Sequence, residues 1–366
     1  MPGVMSHPAR VARYAETSGE LALLGDRQLA DLVAGATPLG HGIGGTSALL
    51  HVAGTPVFVK RIPLSDKELR PEHVRSTANL FDLPPRCQYG VGGHPGFGVW
   101  RELAANVHTT GWVLARRTEA FPVLYHWRVL PGAPPLHDEL ADVDAAVRYW
   151  GGAPGVRERI DAAATATASL VLFLEYVPVG LDEWLGDRLA RGPEAVARAA
   201  MLVARRLRLD LGALNAGGLL HFDAHFGNLR TDGDRLYVVD LGLATSPRFA
   251  LSRAEAEFVT RHRSHDVCHA LTRLVNWLVT HVCGVPVPAS GIPDERDEYV
   301  ARCARGVQVV DAPAPVAALI HRYAPVAAVM NGFYRNLFGT SRATPYPVVA
   351  VEKAASAVPE LAHLAG

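Results

Sequence analysis

Gly218 to Thr245 read G-L-L-H-F-D-A-H-F-G-N-L-R-T-D-G-D-R-L-Y-V-V-D-L-G-L-A-T. Four polar residues in this stretch are spaced as H-x-D-x-x-x-x-N, with D-L-G twelve residues later: His221, Asp223, Asn228 and Asp240. The pair Asp232-Gly233 predicts a two-residue turn, and therefore a hairpin that brings Asn228 and Asp240 together. Amide and carboxylate oxygens are ligands suited to Mg²⁺. Asp223, a few residues upstream, is placed to accept a proton from an attacking hydroxyl.

The composition is that of an ordinary globular chain. Of 366 residues, 49% are hydrophobic and 20% are charged, and the formal net charge is zero. This balance gives no reason to expect nucleic acid or an anionic membrane as a partner, and nothing indicates an obligate protein partner. The four cysteines are widely scattered, which argues against a zinc site or a disulfide framework. We therefore expect a cytoplasmic protein.

Short strands are predicted from Thr37 onward. The glycine-dense run 39–46 precedes two apolar runs, 48–52 and 57–60, that predict a pair of strands. Three of the glycines fit G-x-G-x-x-G: Gly40, Gly42 and Gly45. In a dinucleotide-binding unit such glycines open a helix, whereas here they open a strand. This context favours a loop whose backbone approaches phosphate groups, with a turn that binds no ligand as the alternative.

Helical periodicity is predicted in several further segments. One run covers residues 20–33, with Asp26 as a candidate cap, and two longer runs cover 193–215 and 258–282. Another helical run begins at Trp100. The continuous apolar run that ends at Val177 predicts a buried strand.

Together these stretches resemble the protein-kinase-like superfamily. Lys60, which ends the strand V-F-V-K, resembles the lysine that contacts the α- and β-phosphates of the nucleotide. Glu102 resembles the helix glutamate that orients this lysine. The resemblance implies phosphate contacts by the glycine-rich loop and Mg²⁺ ligation by Asn228 and Asp240. It also implies that Asp223 accepts the proton of the hydroxyl acceptor.

The resemblance extends to the nucleotide base. The strand end L-E-Y-V resembles the segment whose backbone hydrogen-bonds adenine, which implies nucleotide contacts at Glu175, Tyr176 and Val177. Phe58 stands where these enzymes usually have a small residue over the adenine. The shape of the pocket, and the choice between ATP and GTP, therefore stay open.

Two further residues have structural roles by the same resemblance. His221 resembles a histidine that packs and hydrogen-bonds within the catalytic loop. Asp266 resembles the helix aspartate that anchors the backbone of that loop, and an ordinary N-cap is the equal alternative.

The residues around Asp223 bear on the acceptor. Protein kinases typically have Arg immediately before this aspartate and Lys two residues after it, where this chain has Phe222 and His225. The form D-x-H-x-G-N resembles the loop of aminoglycoside phosphotransferases and related small-molecule kinases. His225 is therefore assigned either a contact with the γ-phosphate or a local structural hydrogen bond.

We therefore expect an α+β protein with a bilobal protein-kinase-like fold, a β-rich N-lobe and a mainly helical C-lobe. The expected divisions are a helical N-terminal extension, an N-lobe with two insertions, and a C-lobe that carries the catalytic loop: 1–36, 37–177 with insertions near 61–98 and 131–167, and 178–366.

The expected activity is Mg²⁺-dependent transfer of the γ-phosphate of ATP, with GTP possible, to a hydroxyl of a small molecule. An aminoglycoside, a sugar or another natural product would be the acceptor. The first alternative is a Ser/Thr protein kinase. The second is a pseudokinase scaffold that binds nucleotide without turnover.

Overall fold

A computed structural model describes residues 5–90, 93–288, 291 and 293–365. The chain forms two units, and the first comprises Met1–Pro178, His221–Asp223 and Tyr237–Ala256. The second comprises Val179–Leu220, Ala224–Leu236 and Glu257–Gly366. Residues 218–245 therefore contribute to both units. The predicted divisions assign this whole stretch to 178–366.

The first unit combines a sheet with helices. Its helices are α1 His7–Leu23, α2 Asp26–Ala34, α3 Asp66–Leu69, α4 Val99–Leu114, α5 Val143–Tyr149 and α6 Pro154–Ala164, with short 3₁₀ turns at Pro85–Gln88, Asp138–Leu140 and Leu241–Leu243. Its strands are β1 Thr37–Gly42, β2 Gly45–Val52, β3 Thr55–Leu64, β4 Leu124–Pro131 and β5 Ala168–Glu175.

The five strands form one sheet in the order β1-β2-β3-β5-β4, with antiparallel neighbours throughout. The glycine-dense run forms the hairpin between β1 and β2, in which Gly42 pairs with Gly45. Gly45 has φ 119°, and a Cβ there would lie 2.0 Å from the carbonyl oxygen of Arg61 on β3. No other residue fits this position without displacing β3, because the clash is with backbone.

One face of the sheet packs against α4. Alternate residues of β3 and β5 point to this face because side chains alternate along a strand. The resulting apolar cluster contains Ile62, Leu64, Leu170, Leu172, Leu174, Val99, Trp100 and Leu103. Lys60 is two residues before Ile62, so it lies on the same face, towards the helix that carries Glu102.

The N-terminal segment belongs to the first unit as two helices. The side chain of Ser6 caps α1 by accepting a hydrogen bond from the N–H of Ala9, and both α1 and α2 contact β4. The cap predicted at Asp26 is wrong. Gly25 is the N-cap of α2, and Asp26 lies in the first turn, where its charge favours the positive end of the helix dipole.

The second unit is mainly helical. Its elements are β6 Val179–Gly180, α7 Leu181–Ala190, α8 Pro193–Arg206, a π-helical turn Leu207–Leu211, α9 Gly212–Ala216, a 3₁₀ turn Phe226–Asn228, β7 Leu229–Thr231, α11 His265–His281, α12 Asp294–Ala304, α13 Ala314–Gly339, α14 Val348–Ser356 and a 3₁₀ turn Pro359–Ala365. Strand β8 (Leu236–Val238) and helix α10 (Arg253–Arg261) each have residues in both units.

Two predicted long helices are interrupted. The π-helical turn at Leu207–Leu211 divides the run predicted over 193–215. The run predicted over 258–282 is divided between α10 and α11, because Ser264 begins a new helix. Periodicity alone does not detect the first break, since Leu207, Leu209 and Leu211 continue the apolar pattern across it.

The turn predicted at Asp232-Gly233 is present but longer. The connection between β7 and β8 spans residues 232–235 instead of two residues. Oδ1 of Asp232 accepts hydrogen bonds from the backbone N–H groups of Asp234 and Arg235, at 3.1 and 2.9 Å. The aspartate side chain therefore closes a wider turn.

The α+β class predicted from the sequence is confirmed by this sheet and these helices. Among the described residues, no helix has both the length and the apolar character needed to cross a bilayer.

Candidate functional site

The site of the first unit centres on Lys60. Its Nζ lies 2.8 Å from Oε1 of Glu102 on α4 and 2.7 Å from Oδ1 of Asp240. The three residues are 42 and 180 positions apart in sequence. Both Lys60 and Glu102 are buried, whereas 45% of the Asp240 side chain is exposed. The contact between Lys60 and Glu102 that the sequence predicts is therefore present, and the contact with Asp240 was not predicted.

The helix that carries Glu102 is fixed by its neighbour Arg101. The buried Arg101 guanidinium donates to Oε1 of Glu255 at 2.7 Å and to the carbonyl of Thr77 at 2.8 Å. The carbonyl of Glu102 accepts a hydrogen bond from the amide of Asn106. The two Arg101 contacts set the rotation of α4, and hence the side of the helix on which Glu102 lies.

Asp240 has an unusual backbone conformation. Its φ is 57°, in the left-handed region, and its Oδ1 caps the 3₁₀ turn by accepting from the N–H of Gly242 at 3.2 Å. A Cβ at Gly242 would lie 3.1 Å from this Oδ1 and 3.2 Å from Oε2 of Glu102. The glycine of D-L-G therefore keeps the two carboxylates close to one lysine.

The cluster has two carboxylates and one ammonium group. Burial raises the pKa of Glu102 to about 7, although the charge of Lys60 opposes this effect. Burial also acts to raise the pKa of Asp240, but the charge and hydrogen bond of Lys60 outweigh it and lower this pKa to about 2. Burial lowers the pKa of Lys60, and the two carboxylates more than reverse that, so the net direction is upward. When Glu102 is ionised, two carboxylates face one ammonium group, and a bound cation would neutralise the surplus negative charge.

His221 links Asp223 to the strand that precedes Asp240. The backbone N–H of Asp223 donates to Nδ1 of His221 at 3.2 Å, and Nε2 of the same ring lies 2.9 Å from the carbonyl of Val239. Since an N–H can only donate, Nδ1 accepts and the ring proton is on Nε2. This fully buried histidine thus has the packing and hydrogen-bonding contacts expected of it.

A segment that sequence reasoning missed touches Asp223. We call residues 89–90 and 93–98 the strap. A Cβ at Gly90 would lie 1.8 Å from Oδ1 of Asp223, so the backbone of the strap is in direct contact with the carboxylate. Just before the strap, the amide of Gln88 donates to the carbonyl of Leu243. No local pattern predicts these contacts, because the partners are more than 100 residues apart.

The glycine hairpin approaches the lysine. Gly40 and Gly42 are exposed on edge strand β1, and Gly45 is buried in β2. A Cβ at Gly44, which is not part of the predicted pattern, would lie 3.1 Å from Nζ of Lys60. The backbone at the tip of the hairpin is therefore next to the ammonium group.

The start of the predicted base-binding segment is fixed by contacts with α1. Strand β5 ends at Glu175, whose buried carboxylate accepts hydrogen bonds from Nε of Arg10 on α1, at 3.0 and 2.9 Å, and from the N–H of Val123. The Arg10 guanidinium also donates to the carbonyls of Glu119 and Phe121. The side chain of Glu175 is thus committed to α1 and Val123, and its backbone N–H donates to the carbonyl of Val123 at 2.9 Å.

Two predicted site residues lie in the second unit. Nδ1 of His225 accepts a hydrogen bond from the N–H of Gly227 at 3.0 Å, which is the local structural bond that the sequence left open. Asn228 ends the 3₁₀ turn that follows. Its predicted pairing with Asp240 joins residues of different units and stays a prediction.

Asp266 is also in the second unit. Its N-cap alternative is wrong, because Ser264 is the N-cap of α11. The buried Asp266 carboxylate accepts a hydrogen bond from the amide of Asn215 at 2.8 Å. Asp266 therefore holds the chain at the end of α9, six residues before His221.

The chemistry of Asp240 fits a magnesium ligand. Its Oδ2 accepts no hydrogen bond from a described residue, and its low pKa keeps the carboxylate ionised at neutral pH. The described residues contain no group of three or more His, Cys, Asp or Glu placed to hold a metal. Mg²⁺ does not require such a group, because it is commonly bound by one or two protein oxygens together with phosphates and water.

Comparison with known proteins does not extend this picture. No protein-family model matches the chain, and a search of curated proteins gives no match.

Proposed function

We propose that this chain is a Mg²⁺-dependent phosphotransferase with a bilobal protein-kinase-like fold, which moves the γ-phosphate of ATP to a hydroxyl of a small molecule. The observation that carries this proposal is the triad of Lys60, Glu102 and Asp240. A buried lysine held between a helix glutamate and a half-exposed aspartate is the arrangement expected where phosphates and a metal ion bind. The surplus negative charge explains why a divalent cation would be needed.

Different residues would bind different parts of the nucleotide. Lys60 would contact the α- and β-phosphates, with Glu102 setting its direction. The backbone of the glycine hairpin would cover the phosphates, and residues 175–177 would hydrogen-bond the base. Asp240 and Asn228 would hold Mg²⁺, whose chemistry is to neutralise charge on the phosphates.

The acceptor hydroxyl would be bound at Asp223. Phosphoryl transfer needs little covalent help, so positioning of this hydroxyl and removal of its proton are the main tasks of the aspartate. His221 fixes the backbone of Asp223 relative to Val239, one residue before Asp240. The buried ring of His221 therefore fixes the backbone at Asp223, the proposed base, relative to the backbone next to Asp240, the proposed metal ligand.

The residues beside Asp223 support a small-molecule acceptor. Phe222 is buried at φ 64°, where protein kinases typically have an arginine that reads a phosphorylated activation loop. His225 caps its own turn, which favours the local role over a contact with the γ-phosphate. Neither residue supplies the positive charge typical of protein kinases at these positions.

The test is a search by mass spectrometry for products heavier by one phosphate. The full chain, Mg²⁺ and ATP are incubated with a panel of hydroxylated metabolites that includes aminoglycosides and sugars. We expect transfer to at least one panel member, lost in Asp223→Ala and Asp240→Ala and kept in Asp234→Ala, which removes an exposed carboxylate of the hairpin turn. Phosphate found only on polypeptide would favour a protein kinase, and turnover retained in Asp223→Ala would refute the assignment.

A further inference from the structure

The strap has contacts that its sequence does not explain. Gln88, just before the strap, donates to the carbonyl of Leu243, and Gly90 lies against the carboxylate of Asp223. The strap therefore borders the proposed site on the side of the general base.

Two residues of the second predicted insertion, 131–167, hold the strap at Gly93. The N–H of Gly93 donates to Oε2 of Glu139, and its carbonyl accepts from Nε1 of Trp150, both at 2.9 Å. Trp150 is fully buried, and its own carbonyl accepts from Arg86 at 2.8 Å. Both backbone groups of the residue before His94 are thus bonded, so the position of His94 is built by two insertions acting together.

His94 has an unused hydrogen-bonding group. Its Nδ1 is buried, and no described residue is hydrogen-bonded to it. Burial lowers the pKa of this imidazole, and the charges of Asp240, Lys60 and Glu139 act on it. A buried polar atom without a partner costs free energy, so a native structure normally supplies one from protein, water or ligand.

We propose that Nδ1 of His94 binds the γ-phosphate of the nucleotide, which makes His94 a phosphate-binding residue outside the glycine hairpin. The inference rests on the proposed function. Lys60 and Asp240, two of the three charged groups that act on His94, are those assigned to phosphates and Mg²⁺, and Gly90 of the strap lies against the carboxylate of Asp223. A neutral imidazole donates one hydrogen bond to a phosphate oxygen without adding charge to the cluster.

The test compares nucleotide affinities by calorimetry in the presence of Mg²⁺. Wild type, His94→Ala, His94→Asn and His94→Gln are titrated with a non-hydrolysable ATP analogue, with ADP and with adenosine. An Asn amide overlaps the Nδ1 position of His, whereas a Gln amide overlaps Nε2. We expect about tenfold weaker binding of the ATP analogue in His94→Ala and His94→Gln. Binding in His94→Asn should stay within about threefold of wild type, with ADP and adenosine unchanged throughout.

The control is His51→Ala, which removes an exposed histidine of β2. Equal loss for the ATP analogue, ADP and adenosine would show a structural role and overturn the inference. Unchanged affinity for the ATP analogue in His94→Ala would overturn it too, while leaving the proposed function intact. A folded wild type that binds none of the three ligands would overturn both.

Discussion

Two buried glutamates near α4 have opposite surroundings. Glu68 is fully buried, and its carboxylate accepts from the N–H and hydroxyl of Ser65, from the N–H of Val99 and from Arg159. Glu102 is almost as buried but accepts one hydrogen bond to its carboxylate from described residues, that of Lys60. Its second oxygen lies beside Gly242.

The difference in hydrogen bonding indicates a structural role for Glu68 and a ligand-binding role for Glu102. Around Glu68 each carboxylate oxygen has a donor and one guanidinium balances one charge, so the arrangement stabilises the fold without a ligand. Around Lys60 two carboxylates share one ammonium, which leaves charge and oxygen atoms for something else to bind. Perturbed ionisable groups of this kind cluster at functional sites.

Neutralising each glutamate in turn should give the largest difference between the two sites. Glu68→Gln should lower the free energy of unfolding by about 3 kcal/mol, because Arg159 then remains buried without its counterion. Glu102→Gln should cause no loss at pH 7, because it removes surplus negative charge, although it should lower turnover. Urea denaturation of both variants measures the contrast. Equal destabilisation by the two substitutions would contradict the distinction.

The pH dependence of stability should also differ between wild type and Glu102→Gln, by a smaller amount. Burial raises the pKa of Glu102 in the folded protein from its ordinary 4.5 to about 7. The protonated folded form is therefore favoured at low pH, and this contribution to stability is lost as pH rises from 4.5 through 7. Wild type should lose on the order of 1 kcal/mol or more relative to Glu102→Gln over this window. A difference between the two proteins that does not change with pH would contradict the assigned direction.

Local sequence chemistry predicted the strands around residues 48–60, the turn at Asp232-Gly233 and the helix that carries Glu102. Those features depend on glycine, turn residues and apolar alternation, which act over a few residues. The cap at Asp26 was wrong because Gly25 has the conformation that a cap needs, and either residue type is acceptable there.

The strap could not be predicted, because its position depends on partners far away in the chain. Gly90 is next to Asp223, and Gly93 is held by Glu139 and Trp150, which lie more than 40 residues further along the chain. A glycine-rich run shows that the backbone comes close to something, but not to what. The role of Arg10 was missed for the same reason, since its partner Glu175 is 165 residues away.

The most direct test of the triad is calorimetric binding of ATP with and without Mg²⁺ to wild type, Lys60→Met and Lys67→Met. Lys67 is a matched control, since it pairs with Glu158 at the surface. We expect saturable, Mg²⁺-dependent binding to wild type and Lys67→Met, and binding at least about tenfold weaker in Lys60→Met. Equal affinity of Lys60→Met and wild type, or a folded wild type that does not bind ATP, would contradict the assignment of a nucleotide site to Lys60, Glu102 and Asp240.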